Sequence, residues 1–176
     1  MAETSFDFES TWASYALQME VWTEVRSMTL QAIRNNSAHS FARFAAYSKE
    51  RFQSVFDDLT DELGRTACLN MLVATEAELR HDYENRSRRR NKSEIGTRMK
   101  RLFKEHEQRI RFEEQLLEAW KSEFPLEAGK FSKLKGAFKY RHWLAHGRGW
   151  DSPLDDQYTP ERVFEVCRDV LNMVRT

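Results

Sequence analysis

Residues 65–85 read RTACLNMLVATEAELRHDYEN. Within them Leu69, Leu72, Val73, Glu76 and Leu79 recur at steps of three and four, the spacing of one helix face. This is the most apolar stretch of the chain, which predicts a helix at the centre of a bundle. Working towards the N-terminus, residues 38–63 keep the period through Phe41, Phe44, Ala45, Phe52, Val55, Phe56, Leu59 and Leu63, and Gly64 predicts a helix end between the two stretches. Residues 8–35 do the same through Phe8, Trp12, Tyr15, Met19, Trp22, Val25, Met28, Ala32 and Ile33, before the stop signal Asn35-Asn36-Ser37. Working towards the C-terminus, residues 86–97 are basic, contain Asn91, Ser93 and Gly96, and predict a mobile connection. A helix over about 98–124 follows, with Met99, Leu102, Phe103, His106, Ile110, Leu117 and Trp120 on its apolar side, and Phe124-Pro125 ends it. Another runs over about 130–146 and stops at Gly147. Residues 147–158 are a loop, and Thr159-Pro160 is a cap with proline at the first helical position. Val163, Phe164, Val166, Val170, Leu171 and Val174 line the last helix.

No strand-type alternation, repeat or Gly-rich phosphate loop interrupts this pattern. The expectation is an all-α, single-domain bundle of about six helices. Residues 1–64 form an N-terminal helical hairpin packed on a helical domain over 65–176, as one compact unit. Composition agrees. The 176 residues include twelve Phe, five Trp and five Tyr, too many aromatics for a disordered chain. Six Gly and three Pro are too few for a turn-rich sandwich or barrel. Cys68 and Cys167 lie in apolar periodic segments and are expected to be buried thiols. The first residues are acidic and lack an apolar run, so no signal peptide is expected. No apolar run reaches the ~18 residues of a membrane span, so the expectation is a soluble, cytoplasmic protein without a membrane partner.

The 28 basic and 28 acidic side chains cancel, but unevenly. Residues 1–79 carry 6 basic and 12 acidic groups, residues 80–148 carry 19 and 10, and residues 149–176 carry 3 and 6. The net charges are therefore −6, +9 and −3. The middle block suggests a surface for a polyanion. On charge alone a solvated helix face, paired with the acidic remainder of the chain, accounts for it better.

One segment within that block stands apart: FKYRHWLAHGRGW, residues 138–150. His142 and His146 are four apart and share a helix face. Arg141 and His146 are five apart, about 140° around the helix, a gap a long guanidinium can span. Histidine changes charge near neutral pH, which suits acid–base work. A zinc pair fits less well: HWLAH lacks the glutamate of HExxH, and no third ligand is evident, so neither a metal nor a cofactor is expected. Trp143 and Leu144 as plain core, or the cations as a passive RNA or lipid patch, stay open as readings.

Arg141-His142-x-x-x-His146 resembles the R-x4-6-H motif of the HEPN superfamily. The wider string over 138–150, the upstream MLVATEAELRHDYENR over 71–86 and LLEAW over 116–120 resemble the HEPN group found beside endoribonuclease L-PSP-type domains. The resemblance covers roughly residues 65–150, and the residues before it match nothing in that group. It implies a metal-independent endoribonuclease that dimerises so that two motifs face each other. In that chemistry the RNA 2′-hydroxyl attacks the adjacent phosphate and leaves a 2′,3′-cyclic phosphate. Carried over, His146 is the acid–base group, Arg141 neutralises the scissile phosphate, and His142 orients the pair. Glu76 and Arg80, four apart on one helix, brace the motif, although a surface ion pair explains them nearly as well. Tyr140 and Arg148 reach phosphate or base. Arg88, Arg89 and Arg90, with Lys135 and Lys139, hold RNA by its phosphates. The implied partners are RNA, a second copy of the chain and an antitoxin or other regulator, and the implied setting is a toxin or antiphage defence effector. The alternative is a non-catalytic helical module that binds RNA or another protein through the same basic block.

Overall fold

The computed structural model describes residues 7–35, 37, 41–88, 93–146 and 157–175. Six α-helices occur among them, and no strand. They are α1 (Phe8–Asn35), α2 (Lys49–Arg88), α3 (Glu94–His106), α4 (Leu117–Glu123), α5 (Ala128–His146) and α6 (Pro160–Val174). The chain is an all-α, single-domain bundle in which α2 packs against α1, α3, α5 and α6.

Local chemistry explains three of the six helix starts. The Asp7 carboxylate accepts the Ser10 N–H at 2.7 Å, the Ser93 hydroxyl accepts the Gly96 N–H at 3.1 Å, and the Thr159 hydroxyl accepts the Arg162 N–H at 3.4 Å. Each satisfies an amide that lacks an intrahelical partner.

Four expectations about elements are corrected. The helices expected on either side of Gly64 are one 40-residue helix, α2, so residue 64 is interior to it and not a cap. The glycine makes room for the start of α6: a Cβ there would lie 3.2 Å from Pro160 Cγ. Ahead of α2, residues Ala42–Phe44 form a single 3₁₀ turn, and the helix begins only at Lys49. The connection expected over 86–97 is shorter, because α2 continues to Arg88 and α3 begins at Glu94. Residues 89–92 lie outside the described residues.

The fourth correction lies nearest the candidate site. The helix expected over 98–124 is broken. After α3 come a 3₁₀ turn at Glu107–Arg109 and a π-helical turn at Phe112–Leu116, which leads into α4. Glu107 turns the chain with φ 50°. The break is held by side chains rather than by glycine or proline. The Tyr83 hydroxyl donates to Glu107 O at 3.1 Å, and the Arg111 N–H donates to Gln115 Oε1 at 2.7 Å.

The main core surrounds the middle of α2. Met71, Leu72, Ala74 and Leu79 are fully buried with Leu116, Trp120, Phe131, Leu134, Val163 and Cys167. A smaller aromatic cluster, Phe44, Phe52 and Phe56 with Trp22 against it, lies at the other end of α2. Both cysteines are buried, and burial pushes the Cys167 thiol up to about 12. No helix among the described residues is long and apolar enough to cross a membrane.

Candidate functional site

The site is built where α5 crosses α2 beside the broken segment. Glu76 of α2 is its hub. One carboxylate oxygen accepts Arg80 Nε at 2.8 Å and lies 2.8 Å from Arg80 Nη2. The other lies 3.4 Å from Arg141 Nη2 of α5. Arg80 also donates through Nη1 to the Ile110 carbonyl at 3.2 Å. The two guanidiniums lie over aromatic rings, Arg80 over Phe112 at 5.4 Å and Arg141 over Phe138 at 5.9 Å. Those rings pack on each other with centroids 4.7 Å apart. Two cations and one anion are thus fixed at the junction of α2, α5 and the π-helical turn.

This hub is only partly screened by water. The Glu76 side chain is 18% exposed, Arg80 35% and Arg141 37%. Arg141 Nε is buried and has no hydrogen-bond partner among the described residues. A guanidinium has five N–H donors in a planar fork. The Arg141 fork faces a single carboxylate oxygen and keeps donors for a second anion.

His142 and His146 lie on the outward side of α5, both exposed, with ring centroids 5.2 Å apart. His146 is the last residue of the helix. The separation of about 140° expected between positions 141 and 146 is realised: Arg141 turns towards α2 and the imidazoles turn to solvent. The guanidinium therefore pairs with Glu76 and does not reach across to His146.

The remaining candidates divide. Glu76 and Arg80 share one face of α2, as their spacing expected, and Glu76 meets Arg141. Tyr140 is not at the surface. It is 1% exposed and stacked between Trp143 and Tyr158, with centroids at 5.7 and 5.3 Å, so packing replaces the expected contact with phosphate or base. Lys135 is tied to Glu118 at 3.0 Å, and its ammonium lowers the Glu118 carboxyl below its usual range. Lys139 is exposed on the histidine side of α5. Arg88 lies 3.3 Å from Glu84, one turn back on the same helix. Arg89, Arg90 and Arg148 lie outside the described residues. Sequence reasoning missed Ile110 and Phe112, whose apolar period is the same in a continuous helix and in a broken one.

The chain matches no protein-family model, no curated protein and no solved structure.

Proposed function

We propose that the chain is a metal-independent endoribonuclease of HEPN type, acting on single-stranded RNA as a homodimer. The observation that carries the reading is the partly exposed Arg141 guanidinium, held by Glu76 through one nitrogen, on the helix that also presents His142 and His146. In this reading Arg141 neutralises the phosphate under attack, which favours the charge of the transition state. His146 moves the proton of the 2′-hydroxyl or of the leaving 5′-oxygen, and His142 orients it. The products are a 2′,3′-cyclic phosphate and a 5′-hydroxyl. Because the guanidinium and the imidazoles leave opposite sides of α5, a second copy supplies the missing group to each phosphate. A role in toxin or antiphage defence, with an antitoxin or regulator as partner, follows from the sequence resemblance alone.

A second reading is a non-catalytic module that binds RNA or a partner protein. The ion pairs favour it: Arg80 with Glu76, Arg86 with Asp82 and Arg88 with Glu84 are all one turn apart on α2, so much of the basic block is neutralised within its own helix.

Incubation of the purified protein with end-labelled single-stranded RNA in EDTA separates the two. The first reading expects cleavage with cyclic-phosphate ends, lost by ~10²–10⁴-fold in His146→Ala. It also expects Arg141→Lys to fail, since a point charge loses the planar fork. Binding without cleavage under every buffer condition supports the module.

A further inference from the structure

We infer that His142 and His146 form a two-point chelating site for a zinc ion on the exposed C-terminal turn of α5. The site stands apart from the ribonuclease reading and holds whether or not the chain cuts RNA.

The pair differs from the other described histidines. His81 lies 3.2 Å from the Asn85 amide nitrogen, and His106 lies 2.9 Å from that of Gln115 and 3.8 Å from the Glu105 carboxylate. Neither His142 nor His146 has a hydrogen bond or ion pair among the described residues, and both are exposed. Their ring nitrogens are left to a ligand from solution.

The spacing of the rings fits one tetrahedral ion. Zinc bonds a ring nitrogen at about 2.0–2.1 Å and so stands about 3.2 Å from the ring centre. Two rings set at the tetrahedral angle then have centres about 5.2 Å apart. The observed separation is 5.2 Å. A right angle, as in square-planar copper or nickel sites, would need about 4.5 Å. The rings are tilted by 57° rather than stacked. Turning each about χ2, a broad torsion, aims one nitrogen of each at a common point and leaves the ring centres where they are.

Ligand chemistry points to the same ion. Imidazole suits zinc, whereas magnesium and calcium take oxygen ligands. No group of three or more His, Cys, Asp or Glu able to hold a metal occurs among the described residues. Water therefore fills the remaining positions, and without the glutamate of HExxH the site binds zinc but is not a hydrolytic centre. Lys139, exposed one turn before His142, opposes the ion with a strength that salt reduces.

The test is a titration of zinc chloride into the full chain at pH 7.5, followed by calorimetry and by the histidine ring Cε1–H NMR signals. One ion per chain is expected, with a Kd on the order of tens of micromolar, since two ligands supply about half the binding free energy of a four-ligand structural site. Two ring signals should move together, and magnesium at about 1 mM should move neither. His142→Gln and His146→Gln, with helical circular dichroism unchanged, should each weaken binding by about tenfold or more, because either loss ends the chelate. A chain with His81→Gln and His106→Gln should bind as wild type. The absence of saturable zinc binding below about 1 mM overturns the inference. So does wild-type affinity in either single variant of the pair. Cleavage of RNA is a separate readout. Bound zinc takes the imidazole lone pairs, so the ribonuclease reading expects zinc to slow cleavage and EDTA to restore it. Zinc that binds and leaves cleavage unchanged supports the site and overturns the acid–base role of His146.

Discussion

Gly64 shows how one atom decides between two local rules. In a free helix, alanine is worth ~1 kcal/mol more than glycine. Here a Cβ would press on the Pro160 ring at 3.2 Å, and that ring is fixed as the first residue of α6. Gly64→Ala is therefore expected to gain less than the free-helix value, and the full gain should return in a Pro160→Ala background. Urea unfolding of the two single variants and the double variant measures this coupling. The same residue marks a limit of the sequence. Glycine after an apolar run signals a helix end, and only the approach of a segment nearly a hundred positions away reverses that meaning. Helical spacing made the shared face of Glu76 and Arg80 legible, and only the resemblance linked that face to Arg141. The Ile110 carbonyl that completes their hub was not legible, since a backbone oxygen leaves no trace in residue identity.

The broken stretch between α3 and α4 is the element that pattern reading missed. No glycine or proline lies between His106 and Leu117. The interruption instead comes from contacts with Tyr83, Arg80 and Gln115. Glu107 meets the cost, because a side chain at φ 50° is strained by ~1–3 kcal/mol. Glu107→Gly is therefore expected to raise stability by about 1 kcal/mol, as a higher urea midpoint at unchanged slope. A fall in the midpoint would mean that the Glu107 side chain makes a contact worth more than the strain. Helices α1, α5 and α6 were read closely because their ends carry short-range signals in the sequence: Asn35, Gly147, Thr159 and Pro160. A turn of this kind has none, and π-helical turns are often found at functional sites, which suits its place beside the Glu76 hub.

At the scale of the whole molecule, the two ends of the described chain are tied to its centre by Arg175. Its guanidinium lies 2.6 and 3.1 Å from the Glu9 oxygens and 2.6 Å from Glu78, which in turn accepts the Phe8 N–H at 3.2 Å. The hydrogen bond from Arg175 holds the Glu9 carboxyl below its usual range, against the opposing pull of burial. A carboxyl lowered on folding stabilises the fold above its unfolded value and loses that contribution as the pH falls through the folded one. Arg175→Gln should therefore lower the melting temperature by a few degrees at pH 7, about 1 kcal/mol for a largely exposed network. The gap from wild type should narrow as the pH drops below 4.5, the ordinary glutamate value. Thermal melts of both chains across pH 3–7 test the sign. The pairing of two copies is tested by light scattering, which should report twice the mass of one chain at micromolar concentration; a single-chain mass would leave the site without its second half. How that mass is measured matters, because of the 40 residues of α2. At 1.5 Å per residue the helix is a rod of about 60 Å. A compact sphere of this chain length, with a radius of gyration of about 16 Å, would be only ~40 Å across. A single copy therefore tumbles and diffuses like a slightly heavier particle, and a sizing column calibrated with round proteins would overstate its mass.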